Sequence, residues 1–457
     1  MRKLVFVLSL VLLSGTVSAQ QSRTEIKNDI SLAASNYKAY YGPTKPLTKT
    51  PSGYTPFYIS HYGRHGSRFL IATSEYDMPY QTLARADSMG KLTPTGQEVL
   101  RKVRLMRDEA NGRLGELTPL GAEQHRGIAK RMMERFPEVF KGKTNIDAKS
   151  TIVIRCILSM ENEMQQLAAM NPQLQIRHDA SMHDMYFMND EHSPYIKGAR
   201  NKATIEAYNK FYNDHAQFGH LMTVLFNDSN YVRYVIRPAE LGVGLCSLAC
   251  NIQSTELRKE FKMYDIFTFD ELYNYWQICN ANWYSFFGPN KLNEGKGMYV
   301  QSNLLRNIIQ QADSCIRLAH PGATMRFGHE SDVMPLTCLL NVNGFGTPPH
   351  QLGAARRRGL DQLQGLSHGL QPAVRLLPQR QEGRAHSVQA AAQRGRGCAA
   401  RPQARRRPLL QVERLPRLLP QEAAGGTAPI SPRRPCPHHP SHPPSTPSKK
   451  GNGRYQE

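Results

Sequence analysis

Apolar positions come in short runs that alternate in character along the first three quarters of the chain. Leu4 to Leu13 is apolar but for Ser9. Tyr54 to Tyr62 is rich in aromatic and β-branched residues and predicts a strand running into Gly63-Arg64-His65-Gly66. Thr93-Pro94-Thr95 has the grammar of a helix start, with apolar positions recurring at helical spacing from Gly96 to Glu109. Thr118 before Pro119 repeats that signal: a capping hydroxyl, then proline at the first helical position, then an amphipathic stretch from Ala122 to Phe136. Ser150 to Ile154 predicts a short strand meeting Arg155, followed by a helix over 160–170. From about 175 to 300 the pattern is mostly helical, as in 204–212, 221–226 and 269–287. Ala323 to Phe327 returns to strand and Val333 to Leu340 to helix. Strands alternating with helices at both ends of a helical stretch predict an α/β domain carrying a helical insert.

The pattern stops at Thr347. Residues 347–457 are dominated by Arg, Pro, Ala, Gln and Gly, with Tyr455 the lone aromatic residue, and carry neither periodicity. Such a composition buries too little apolar surface to offset ordering, so disorder is expected. The segment holds 19 Lys and Arg against 5 Asp and Glu, two thirds of the whole-chain net charge of +21. The body is therefore only mildly basic, and a nucleic-acid partner is not expected. An Arg-rich arm for polyanions is one reading of the tail. A shifted reading frame fits better. Leu360 to Leu366 can be encoded by bases that, read one base later, give Trp-Ile-Asn-Tyr-Lys-Val-Phe. Ser367 to Gln379 likewise yields Pro-Met-Ala-Ser-Asn-Leu-Gln-Phe-Val-Phe-Tyr-Arg. Everything beyond about Thr347 is thus expected to be out of frame.

Met1-Arg2-Lys3, the apolar run and Val17-Ser18-Ala19 describe a secretory signal peptide cut after Ala19. The run is too short to span a membrane, and no span is expected in the mature chain. Export to the periplasm or medium makes disulfides possible for the eight cysteines, without specifying pairs.

Chemistry concentrates where the predicted strands end. The first gives Arg64-His65-Gly66-Ser67-Arg68: two guanidinium forks able to hold a phosphate bidentately, a histidine able to attack it, and a glycine that lets backbone approach the ligand. The second gives Arg155, the third His329-Glu330. In parallel α/β sheets such clusters converge beyond the carboxyl ends of the strands. A metal site of His329, Glu330 and Asp332 is the rival reading, with no further ligand set of known spacing beside it.

These residues resemble the histidine acid phosphatases, the second branch of the histidine phosphatase superfamily, and within it are similar to multiple inositol polyphosphate phosphatases. The likeness covers roughly residues 50–346. It rests on Arg64 to Arg68, the later Arg155, the Leu117-Thr118-Pro119-Leu120-Gly121-Ala122-Glu123 stretch and His329-Glu330. The pair reads His-Glu here, where that family carries His-Asp or His-Ala-Glu. The resemblance implies a phosphoglycerate-mutase-like three-layer α/β domain with a mostly helical insert. Its parts are a signal peptide (1–19), the α/β domain (20–170 and 301–346), a helical cap (171–300) and the tail (347–457). It implies a phosphomonoester hydrolase using no metal or other cofactor. His65 becomes a phosphohistidine, Arg64, Arg68, Arg155 and His329 hold the transferring group, and Glu330, with Asp332 as rival, protonates the leaving oxygen. Substrates would be inositol polyphosphates or simple phosphomonoesters, with Lys197, Arg200 and Lys202 of the cap lining the pocket. It also implies a last strand and helix after Gly346, which the tail sequence does not supply. The alternatives are a frame-shifted, impaired phosphatase and a non-catalytic anion-binding protein.

Overall fold

The computed structural model describes residues 22–43 and 50–347, with three short strands farther along. The signal segment and the rest of the tail lie outside the described residues.

Seven strands form one sheet in the order β3-β2-β4-β1-β5-β6-β7. The first four are β1 (Tyr58–Arg64), β2 (Asn145–Ser150), β3 (Gln175–Ala180) and β4 (Gly322–Gly328). They run parallel, with β4 between β1 and β2 and Arg64 in register with Gly328. The remaining three, β5 (Ala373–Leu377), β6 (Ser387–Ala391) and β7 (Leu410–Gln411), pair antiparallel, β5 lying against β1. The tail thus supplies strands where its composition suggests none.

Helices cover both faces, the three-layer arrangement of an α/β domain. The longer ones are α1 (Thr73–Ser88), α2 (Pro94–Glu109), α3 (Pro119–Arg135), α4 (Ile154–Met170), α5 (Lys202–His215), α6 (Pro238–Asn251), α7 (Phe269–Phe287), α8 (Ser302–Cys315) and α9 (Glu330–Leu339). Ala323, Met325 and Phe327 of β4 alternate onto the face that α3 and α4 cover through Ile128, Met132, Met160 and Leu167. Tyr62 of β1 faces the other core, where α1 and α2 pack with α6 and α7 of the helical region. Thr93 and Thr118 accept from the backbone N–H of Gly96 and Gly121, as their spacing predicts.

Two expected elements are displaced. The strand before Arg155 ends at Ser150, and Arg155 lies in the first turn of α4. The β-branched Thr151-Ile152-Val153-Ile154 run mimics a strand, yet Ile152 and Ile154 are exposed. The true strand buries only Ile146, Ala148 and Ser150, between polar neighbours. The sheet also continues through β3, beyond residue 170, because Gln175–Ala180 pairs with β2. Among the described residues all six cysteines are free, and no single helix is long and apolar enough to cross a membrane.

Candidate active site

The carboxyl ends of β1 and β4 are adjacent, so Arg64-His65 and His329-Glu330 meet. The His65 and His329 ring centroids are 5.7 Å apart. Glu330 sits between the arginine and the nucleophile candidate: Arg64 Nε donates to its Oε2 at 2.8 Å and Arg64 Nη2 to its Oε1 at 3.2 Å. His65 Nε2 lies 3.5 Å from the same Oε2. Burial would raise the Glu330 pKa, but the Arg64 charge holds the carboxyl well below the usual range. Glu330 is therefore ionised here, whereas its expected role needs a proton.

His65 is oriented by its own turn. Its Nδ1 lies 2.8 Å from Gly66 O, and an imidazole nitrogen facing a carbonyl must donate. The lone pair is thereby left on Nε2, which is buried and makes no hydrogen bond among the described residues. Burial, reinforced by the Arg64 and Arg155 charges and opposed by Glu330, pushes the His65 pKa well below the ordinary imidazole range. A neutral, desolvated Nε2 is a competent nucleophile.

The turn is held from two sides. Gln124 of α3 accepts from Ser67 N at 2.8 Å and donates to Ser67 Oγ at 3.0 Å. Ser159 of α4 accepts from Gly66 N at 3.1 Å. A Cβ on Gly66 would stand 2.5 Å from Gly121 O, so glycine is needed at both positions for α3 to dock.

Arg68 and Arg155 bring further positive charge. Arg68 is buried, its Nε without a partner and its Nη1 donating to Phe69 O at 2.8 Å. Arg155 Nε is likewise unpartnered, and burial together with the Arg68 charge lowers its pKa. A cation in the first turn of α4 opposes the helix dipole. This cluster of under-satisfied guanidiniums is electrostatically incomplete without an anion. His329 is pushed down to about 4 by burial and by Arg155, and lies 3.3 Å from Thr151 Oγ1 through Nε2. It is a neutral hydrogen-bonding group and not a cation.

Asp332 turns away from this centre. Its Oδ2 accepts from His329 N at 3.2 Å and caps α9, and burial pushes its pKa well above the usual carboxylate range. Among the described residues no group of three or more His, Cys, Asp and Glu could hold a metal ion.

A cleft opens over the 64–68 turn, lined also by Asn36, Lys38, Gln124 and His125. The N-terminal segment is a part of the site that no local sequence signal announces. Asn36 Nδ2 donates to Glu330 Oε1 at 2.9 Å and its carbonyl accepts from Arg64 Nη1 at 2.7 Å. Ser35, at φ 53°, holds a left-handed backbone that sets Asn36 in place. Lys197, Arg200 and Lys202 do not line this cleft: Arg200 lies over the Phe286 ring and Lys202 pairs with Glu206 at the surface.

No family profile and no curated protein matches the chain in sequence. Solved structures do match in shape. The phosphate complex of the Bifidobacterium longum multiple inositol polyphosphate phosphatase superposes with a TM-score of 0.65 at 16% identity, over 79% of this chain and 91% of that one. The complex of the same enzyme with inositol hexasulfate gives 0.63 at the same identity and coverage. The phytase from D. castellii gives 0.55 at 12% identity, over 79% of each chain. The fold of this chain is therefore the one shared by multiple inositol polyphosphate phosphatases and phytases, the fold of the histidine acid phosphatases.

Proposed function

We propose that the chain is an exported phosphomonoesterase that works through a phosphohistidine at His65, on inositol polyphosphates or other small phosphomonoesters. The observation that carries this reading is His65 itself, its Nδ1–H tied to Gly66 O and its Nε2 left without a hydrogen bond among the described residues, beside the charges of Arg64 and Arg155. The fold likeness supports the substrate class, since the matched proteins are phosphatases of phosphorylated inositol.

In the proposed cycle the ester phosphate takes up Arg64, Arg68 and Arg155, whose charges stabilise its equatorial oxygens. Drawing Arg64 from Glu330 removes the charge that keeps the carboxyl ionised, and a proton carried by the monoanionic ester passes to it. His65 Nε2 attacks phosphorus, forming N–P as the P–O bond breaks, and Glu330 gives its proton to the leaving oxygen. Water then attacks phosphorus, returning a proton to Glu330 and freeing His65 and phosphate.

The test is phosphate release from p-nitrophenyl phosphate and phytate by the full chain, with acid quench to trap the phosphoenzyme. Turnover and an acid-labile phosphoprotein, both lost in His65→Ala, support the proposal. Binding of phosphate without either would instead favour the non-catalytic anion-binding reading.

A further inference from the structure

One buried pair in the cleft wall is not used by this cycle. His125 of α3 and Glu163 of α4 are 1% and 0% exposed at the side chain, and Nδ1 lies 2.7 Å from Glu163 Oε1. Glu163 Oε2 is buried without a hydrogen-bond partner among the described residues. Among the described residues the imidazole is the group its contacts offer, and a 2.7 Å contact between Nδ1 and a carboxyl oxygen shares one proton and fixes the ring. Nε2 lies on the opposite side of the ring. His125 lines the cleft together with Arg64, His65, Gly66 and Gln124, and its ring packs on Phe327 of β4, centroids 6.0 Å apart. We infer that His125 is a further phosphate-binding residue, its ring held by Glu163 against the wall of the cleft it lines.

This rests on the proposed phosphatase reading, but binding can be measured without turnover. Titration calorimetry of the full chain with inorganic phosphate is compared for wild type, His125→Gln, Glu163→Gln and the double variant. A hydrogen bond to a charged phosphate predicts about a tenfold weaker phosphate Kd in either single variant. The double variant should lose no more than either single one, because the two residues form one unit. In turnover, KM rises about as much while kcat stays within about threefold, a split that loosened packing would not produce. Phosphate Kd within about twofold of wild type in the singles, or losses that add in the double, overturns the role of His125 alone. No phosphate binding by wild type overturns this role and the phosphatase reading together. Two independent single variants keep the result decisive if one fails to fold.

A second inference rests on β5 and β6. With suitable codons the one-base-later frame reads Gln-Phe-Val-Phe-Tyr at positions 373–377, the span of β5, which pairs with β1. Codon choice matters at 373–375 and hardly at the next two positions. A Leu codon followed by C or T can only become Phe, Ser, Tyr or Cys, which covers positions 376 and 377. In β6 (Ser387–Ala391) the same rule gives Phe, Ser, Tyr or Cys at 388, and only Ile or Thr at 386 just before it. We propose that the strands completing this sheet edge are encoded in that neighbouring frame. The coding DNA across codons 347–411 decides it. An open frame with aromatic and β-branched residues at 374–377 and 386–388 is expected, and a stop codon in it overturns the proposal. A chain rebuilt in that frame should melt at higher temperature than the present one, and an unchanged or lower midpoint also overturns it.

Discussion

Gly66→Ala puts the geometry of the phosphate turn to a direct test. The added Cβ would sit 2.5 Å from Gly121 O, 2.7 Å from its Cα and 2.8 Å from its carbonyl carbon. Ordinary contact begins near 3.4 Å, so the turn and the first turn of α3 must separate by about 0.9 Å. Both partners are backbone, so no side chain can swing aside. Gln124, one helical turn further along α3, holds Ser67 by two hydrogen bonds, and the separation therefore reaches the nucleophile's own loop. A displacement near 1 Å costs on the order of 10²-fold in rate, and overpacking about 1–3 kcal/mol in stability. The assay is kcat/KM for p-nitrophenyl phosphate beside a thermal melt. Gly219→Ala is the control, because nothing lies within 4 Å of its added Cβ. Gly121→Ala should reproduce the defect from the other side, its Cβ falling 2.3 Å from Ser67 O. Activity within about threefold of wild type together with an unchanged melt in Gly66→Ala would refute the reasoning.

Glu330→Gln removes the proposed proton donor, so phytate hydrolysis should fall about 10²–10³-fold. Hydrolysis of p-nitrophenyl phosphate, whose leaving group needs no proton, should fall much less, and an equal loss on both substrates counts against the role. Asp332→Asn should keep activity within about threefold, since Asp332 caps α9 and turns away from the 64–68 cleft; a loss matching Glu330→Gln would make Asp332 the donor. Stability should fall on acidification from pH 6.5 toward about 4, because burial and Arg155 lower the folded His329 pKa to about 4 and the unfolded chain takes up the proton first. The contribution is up to about 3 kcal/mol. Urea melts across that range should show a shallower decline in His329→Gln, and identical slopes would remove His329 as the source.

The meeting of Arg64-His65 with His329-Glu330 was legible in the sequence because both pairs follow apolar runs, and the ends of parallel strands converge whatever lies between them. Thr93 and Thr118 were legible for a local reason, since a cap and its helix are neighbours in sequence. Asn36 was not: its partner Glu330 is 294 residues away, and an ordinary asparagine carries no mark of so distant a contact. β2 was hidden because its inward positions after Ile146 are Ala148 and Ser150, too small and polar to give a clear apolar alternation. The His125–Glu163 pair was hidden because a histidine and a glutamate on amphipathic helices resemble any polar positions until the helices pack. Gly66 and Gly121 looked like turn and helix glycines, and only their mutual approach gives them meaning.

The strand that leads into His65 has no neighbour near it in the chain. β1 finds its partners at Gly322–Gly328 and Ala373–Leu377, and both come after the entire helical region. During synthesis, residues 58–64 leave the ribosome long before either partner exists, so they must wait unpaired while the helices between are made. Folding of this sheet is then governed by late, long-range closure, which is slow and exposes an apolar edge to aggregation. A nascent chain arrested before residue 322 therefore contains the whole Arg64–Arg68 motif and none of the contacts that set it beside His329-Glu330.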